Sequence, residues 1–258
     1  MEHLFRELDR STESHKGENG RVAVIGGSED YTGAPALASM AAYRTGCDLV
    51  KTMSASMNRD IISSFSESMI FRSYGELFDR DSVDGAVELS EWADATVIGP
   101  GLDPEPEAVR EFVSRTGSEL VVDADAIAPA VREGPDRAVF TPHRGEVDVI
   151  EEEYGSPGGL ASSGPPVVVK GHTDRVHVGG EVFKNGTGCP EMTVGGTGDV
   201  LAGVIASLIA QDVDRVHAAR LGAWINGKAG EMAAEELSTG MLPQDVIEHI
   251  PEVLRLSQ

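Results

Sequence analysis

Residues 95–125 read ATVIGPGLDPEPEAVREFVSRTGSELVVDAD, and this stretch decides the fold class. A β-branched run, ATVIGPG, ends in glycines. A proline-initiated segment over 106–115 follows with helical spacing of Ala, Val and Phe, and ELVVDAD then forms a second apolar run. Strand, helix and strand within about thirty residues is a βαβ unit, which makes the two strands parallel and buries both faces of their sheet. The pattern extends in both directions. RVAVIGG (21–27), AVFTPH (138–143) and PPVVVKG (165–171) are further strands, with helical stretches over 34–44 and 145–154. After Lys170, DRVHVGGEVFKNG forms a hairpin turning at Gly179 and Gly180. Helices are expected over 197–211, 216–237 and 243–256. Residues 155–166, rich in Gly, Pro and Ser, are expected to be a surface loop. No internal repeat is visible. The expected architecture is α/β with a mostly parallel, doubly wound sheet in one domain spanning 1–258.

Composition narrows the function classes. The chain has 258 residues, 43 acidic and 21 basic, for a net charge of −22, and lysine occurs only at 16, 51, 170, 184 and 228. A field of that sign repels nucleic acid and anionic membrane. The charge is spread along the chain, for example at Glu151, Glu152 and Glu153, and high salt screens the resulting self-repulsion. A halophilic or high-salt cytosol is therefore the expected setting. Two cysteines cannot make a disulfide framework, and no signal peptide or bilayer-length apolar run is present, so a cytoplasmic location is expected. The seven histidines show no HxxxH or HxH pairing, and no GxSxG elbow supports hydrolase chemistry. Metal ligands cannot be named, although Mg²⁺ arriving with a nucleotide needs only one or two carboxylates.

The strongest local signal is GGTGDVLAGVIASLIAQ over 195–211. Its glycines let the backbone approach a ligand, and the first amides of the helix that starts near Thr197 point forward without intrahelical acceptors. Gly196, Thr197 and Gly198 form the candidate anion hole. Asp199, one turn inside, is not an anion ligand. It fits a general base that takes a hydroxyl proton while the amides stabilise a transferring phosphoryl group. A glycine turn in which Asp199 merely favours the helix dipole is the competing reading. No lysine follows the glycines, so this is not a Walker A loop.

Ligands in doubly wound sheets bind beyond the carboxyl ends of the strands. Gly26 and Gly27, the helix start at Thr32–Pro35, Gly99, Gly101, Asp123, Asp125, His143 and Lys170 all fall there. Each has a plainer alternative: close packing for the small residues, helix capping for Asp123 and Asp125, a structural role for His143, and a solvated strand end for Lys170.

Taken in order, GGSEDYTGAPALAS, VIGPGLD, VVDADA, TPHRGE, VVVKG and NGTGCPEMTVGGTGDVLAGVIASLIAQ resemble the ADP- or ATP-dependent NAD(P)H-hydrate dehydratases, the carbohydrate-kinase-like YjeF C-terminal family. The resemblance runs from about Gly17 to Pro251. It implies a ribokinase-like three-layer α/β/α sandwich and a homo-oligomer. Some family members carry an additional epimerase domain, for which this chain has no room, so a separate epimerase is the implied partner. The implied reaction repairs NADH or NADPH hydrated at C6, by phosphorylating the hydroxyl and letting phosphate leave. Asp199 is then the base. Ala34, Gly101 and His143, with Asp199, match positions that contact the hydrated dinucleotide. Lys170, Gly171, His172, Thr173, Asp174 and Gly198 match positions around the adenine nucleotide, ADP or ATP, with Mg²⁺.

Two segments depart from the family. DADALN is here DADAIA, with Ala128 in place of Asn, and NPGMA is here CPEMT, which puts Cys189 and Glu191 beside the catalytic loop. These departures keep a second reading open, a small-molecule kinase with the same base and a stable phosphorylated product. A catalytically idle nucleotide-binding regulator is the third, and the intact GGTGD argues against it.

Overall fold

Apolar residues at alternate positions of the strands face opposite sides of one sheet, and both sides are buried. Val22 and Val24 enter one core with Val97, Val121, Val139 and Val168, while Ala23 and Ile25 enter the other with Ile98, Leu120, Val122 and Phe140. That two-sided burial is what near-continuous Val/Ile/Leu strands require.

The computed structural model describes residues 12–256. In chain order the elements are β1 (Arg21–Ile25), α1 (Ala34–Thr45), β2 (Leu49–Ser54), α2 (Arg59–Ser64), β3 (Ile70–Ser73), α3 (Val83–Trp92), β4 (Ala95–Ile98), α4 (Pro106–Arg115) and β5 (Glu119–Val122). There follow α5 (Ile127–Glu133), β6 (Ala138–Phe140), α6 (Val147–Tyr154), α7 (Pro157–Ser162), β7 (Val167–Val169), β8 (Asp174–Val178) and β9 (Glu181–Asn185). Three helices end the described chain: α8 (Thr197–Ala210), α9 (Arg215–Leu237) and α10 (Pro243–Leu256). The strands form one nine-stranded sheet in the order β3-β2-β1-β4-β5-β6-β7-β8-β9. Pairing is parallel from β3 through β7, and β8 and β9 add an antiparallel edge. Helices α1, α8, α9 and α10 cover one face and α3 to α7 the other, giving the three-layer α/β/α sandwich.

Small residues set the closest helix contact. A Cβ on Gly203 of α8 would meet the Ala38 carbonyl oxygen at 2.1 Å, so α1 and α8 pack backbone to backbone.

The expected strands, the Gly179–Gly180 hairpin and helices α4 and α10 stand at the expected places. The segment between α1 and β4 adds β2, β3, α2 and α3. The expected surface loop over 155–166 instead contains α7: Pro157 opens it and the Ser156 side chain accepts a hydrogen bond from the Gly159 amide at 3.0 Å. The helix expected over 145–154 is divided, because His143 caps a 3₁₀ turn over Arg144–Glu146 before α6 begins.

The strand order reverses at β1, whose neighbours are β2 and β4. A crevice opens at such a switch point. The loops after β1 and β4 meet there, with the Gly27 amide donating to the Pro100 carbonyl at 2.8 Å.

Candidate active site

Helix α8 begins at the carboxyl end of the sheet. Gly196 precedes it with φ of 103°, in the left-handed region, and a Cβ there would strike Leu37 and Pro243. Glycine is therefore required where the loop turns into the helix. The first helical hydrogen bond runs from Val200 to the Gly196 carbonyl at 3.1 Å. The amides of Thr197, Gly198 and Asp199 consequently precede the intrahelical ladder and are open to an anion. The Thr197 hydroxyl is spent on its own loop, donating to the Met192 carbonyl at 2.8 Å, so this residue offers its backbone rather than its side chain.

Asp199 stands in the first turn of α8, partly exposed, and its carboxylate accepts no hydrogen bond from the described residues. Burial, and then the neighbouring Asp123 carboxylate, push its pKa up to about 7 against the opposing charge of Lys170. A carboxyl near neutrality with free lone pairs has the properties of a general base.

Lys170 leaves the end of β7 and turns inward. Its Nζ donates to Asp123 Oδ1 at 2.7 Å, and Asp123, only 2% exposed, also accepts from the Thr141 hydroxyl at 2.8 Å. Burial works against the lysine charge, but the attraction of Asp123, with smaller help from Glu146 and Asp199, raises its pKa overall. A Cβ on Gly198 would stand 3.2 Å from Lys170 Nζ, so the ammonium lies directly under the first turn of α8. Lys170 is thus not a solvated strand end, and Asp123 is not a side-chain cap.

His143 is exposed at the mouth. Its Nδ1 accepts from the Gly145 amide at 2.9 Å, and Glu146 Oε2 accepts from the His143 amide at 2.7 Å. Burial raises the pKa of Glu146, while Lys170 lowers it. Asp174 Oδ1 accepts from the Gly171 amide at 3.0 Å and its Oδ2 from Asn185 at 3.1 Å, closing the turn that carries His172 and Thr173.

A cleft of about 610 Å³ brings many of these groups together. Its walls include His143, Lys170, Gly171, His172, Asp174, Thr197 and Gly198. Ala34 and Gly101 lie elsewhere, where the loops after β1 and β4 meet: a Cβ on Gly101 would stand 3.2 Å from that of Ala34 and closer still to Tyr31. Gly196, Thr173 and Asp199 border the cleft without lining it. Sequence reasoning missed Glu146 and Asn185, which bond His143 and Asp174, and the cleft-lining Thr187 and Asn226. The last was signalled by an Asn inside the Ala- and Gly-rich α9. Among the departures, Cys189 lines the cleft, and burial together with the Glu191 carboxylate raises the pKa of its thiol. Ala128 is exposed on α5.

A profile of the NAD(P)H-hydrate dehydratase family matches residues 22–252. The chain belongs to the NAD(P)H-hydrate dehydratase family. It is 44% identical to an ADP-dependent (S)-NAD(P)H-hydrate dehydratase of Natrialba magadii, over 99% of this chain and all of that one. Identity to the Haloterrigena turkmenica protein of the same description is 40%, again over 99% of this chain and all of that one. A bifunctional NAD(P)H-hydrate repair enzyme of Methanothermobacter thermautotrophicus is 36% identical over 97% of this chain, which spans 53% of that protein. Among solved structures, the ADP/ATP-dependent NAD(P)H-hydrate dehydratase of Bacillus subtilis, co-crystallised with ATP/Mg²⁺, matches with a TM-score of 0.83 and 26% identity, over all of this chain and 97% of that one. The ribokinase of Arabidopsis thaliana, with ribose and ATP, matches with a TM-score of 0.61 at 9% identity, over 92% of this chain and 99% of that one, a likeness of fold.

Proposed function

We propose that this chain is an ADP-dependent (S)-NAD(P)H-hydrate dehydratase in which Asp199 is the catalytic base. The observation that carries the reading is the placement of one uncommitted carboxyl, with a pKa of about 7, behind the open amides of α8 and beside the Lys170 ammonium. The names of the two relatives at 44% and 40% identity support ADP as the phosphoryl donor.

The hydrate carries a hydroxyl at C6 of the nicotinamide ring. Asp199 takes its proton, the oxygen attacks the terminal phosphorus of ADP, and AMP departs with the electrons of the broken P–O bond. Amides of Thr197 and Gly198 stabilise the charge on the phosphoryl oxygens in transit, and Lys170 adds a cation on the same side. Hydroxide leaves poorly and phosphate well. The phosphorylated ring then expels phosphate along the C6–O bond, with electrons supplied by the ring nitrogen, and loss of the adjacent C5 proton restores the dihydronicotinamide.

The nucleotide is assigned to the 610 Å³ cleft and the hydrated ring to the side of Asp199 facing Ala34 and Gly101, with His143 at the rim. Among the described residues no three His, Cys, Asp or Glu side chains converge to hold a metal. Mg²⁺ arriving with the nucleotide would be held mainly by the phosphates and water, and would supply charge neutralisation there. A separate epimerase is the proposed source of the (S) form.

The test incubates hydrated NADPH and hydrated NADH with the full chain, Mg²⁺ and either ADP or ATP. The expected result is growth of the reduced-nicotinamide absorbance band with ADP, matched one for one by AMP and phosphate. Accumulation of a stable phosphorylated product without that band would overturn the dehydratase reading in favour of a kinase.

A further inference from the structure

The chain carries 43 acidic against 21 basic residues, and the walls of the 610 Å³ cleft reverse that balance. Among the described residues, the arginine, lysine and carboxylate side chains lining it are Arg144, Lys170 and Asp174. Two of these are already engaged. Asp174 is held within its own turn by the Gly171 amide and by Asn185, and Lys170 is bonded to Asp123. Seven of the described arginines form ion pairs with carboxylates. The side chain of Arg144 is exposed and makes no ion pair or hydrogen bond among the described residues.

Arg144 opens the 3₁₀ turn that His143 and Glu146 fasten at both ends. One residue before His143, the Pro142 carbonyl accepts from the Lys170 amide at 2.8 Å. The backbone that carries Arg144 is therefore fixed to the strand end that carries Lys170, and the guanidinium borders the cleft from a rigid base. Its planar fork of N–H donors matches two oxygens of one phosphate, and it stays charged at any working pH. The phosphoryl group in transit already has donors in the α8 amides and Lys170. A guanidinium beside His143, on the exposed side of the cleft, suits a phosphate that stays in place. Three groups of that chemistry belong to the proposed reaction: the α-phosphate of ADP, the pyrophosphate of either dinucleotide, and the 2′-phosphate of hydrated NADPH.

We propose that Arg144 binds a phosphate that is not transferred, on one of the two ligands, which makes it a specificity-determining residue of the cleft. The inference rests on the assignment of the cleft to the nucleotide and of the rim at His143 to the hydrated dinucleotide. It gives the unpaired guanidinium a counter-ion only in the complex, in a chain whose overall charge repels phosphates elsewhere.

The test compares the full chain with Arg144→Gln, Arg144→Lys and Arg80→Gln. Arg80 sits on a turn ahead of α3 and does not line the cleft, so its variant makes the same change in net charge away from the site. Calorimetric titration with ADP is combined with kcat and KM for ADP, hydrated NADH and hydrated NADPH. Relative to Arg80→Gln, Arg144→Gln is expected to raise KM roughly tenfold for the ligand whose phosphate it binds, with kcat held within about twofold. Arg144→Lys is expected to recover only part of the loss, since an ammonium keeps the charge without the fork. A rise for ADP, repeated in the calorimetric Kd, identifies the nucleotide. An equal rise for both hydrates identifies the pyrophosphate, and a rise for hydrated NADPH alone the 2′-phosphate. Constants for all three ligands that match those of Arg80→Gln overturn this inference and leave the proposed function standing. A parent that binds ADP but converts neither hydrate overturns the proposed function, and the ADP titration of Arg144→Gln then decides this inference. A parent that binds no ADP overturns the cleft assignment and this inference with it.

Discussion

Lys170 Nζ and Asp123 Oδ1 are 2.7 Å apart, and this pair underlies the first turn of the helix that carries Asp199. The two charges act on Asp199 with opposite signs, Asp123 raising its pKa and Lys170 lowering it. The pair therefore has two consequences: it ties the ends of strands β5 and β7 together beneath α8, and it adjusts the charge state of the Asp199 carboxyl above it, on which burial acts more strongly.

Removing one member leaves the other buried without its counter-ion. Lys170→Met is expected to destabilise the protein by about 3 kcal/mol, because among the described residues Asp123 then keeps only the Thr141 side chain as a partner. The double variant Asp123→Asn/Lys170→Met is expected to regain a substantial part of that loss, a coupling visible in a double-mutant cycle by urea denaturation. Additive losses would show that the pair carries no interaction of its own.

Asp199 gives a pH dependence of defined sign. Its folded pKa of about 7 lies above the ordinary aspartate value of 3.8, so between roughly pH 4 and pH 7 the folded chain holds a proton that the unfolded chain has lost. Stability from this group falls as pH rises through that window. The penalty is complete above pH 7 and absent below pH 4. Asp199→Asn is expected to raise the melting temperature at pH 8 and to leave it nearly unchanged at pH 4. A lower melting temperature at pH 8 would mean that the carboxylate is stabilised by the fold.

Much of this architecture was legible in the chain. Strands β1, β4, β5, β6 and β7 carry mostly apolar runs because both of their faces are covered, and the Gly179–Gly180 turn marks the antiparallel edge. β3 was not legible for a physical reason. It lies at the edge of the sheet, and its residues Ile70–Ser73 are largely exposed, so no apolar pattern sets it apart. α7 was hidden by Gly158 and Gly159, which have poor helix propensity, and it forms through its Ser156 cap and the packing of Leu160. At the site, GGTGD announced the open amides and Asp199. The Asp123 to Lys170 pair joins residues 47 apart in sequence, and no local pattern encodes such a contact. Glu146 was concealed within the TPHRGE turn, and its role there depends on how that turn folds back on His143.

The net charge of −22 predicts a salt requirement. At about 0.1 M salt, charges interact over about 10 Å, and at about 1 M over about 3 Å. Exposed carboxylates such as Glu151, Glu152 and Glu153 repel one another less as salt rises. The melting temperature is expected to climb steadily between those concentrations in sodium chloride, and a flat response would show that the acidic surface is already neutral in its effect on folding.

The most direct measurement compares the parent chain with Asp199→Asn in ADP-dependent conversion of hydrated NADPH across pH 5 to 9. The expected parent profile rises with an apparent pKa near 7, matching the carboxyl that must lose its proton. Asp199→Asn is expected to lose turnover by about a hundredfold to ten-thousandfold while binding ADP nearly as well. A variant that turns over within a few-fold of the parent, with the same pH profile, would contradict the assignment of Asp199 as the base.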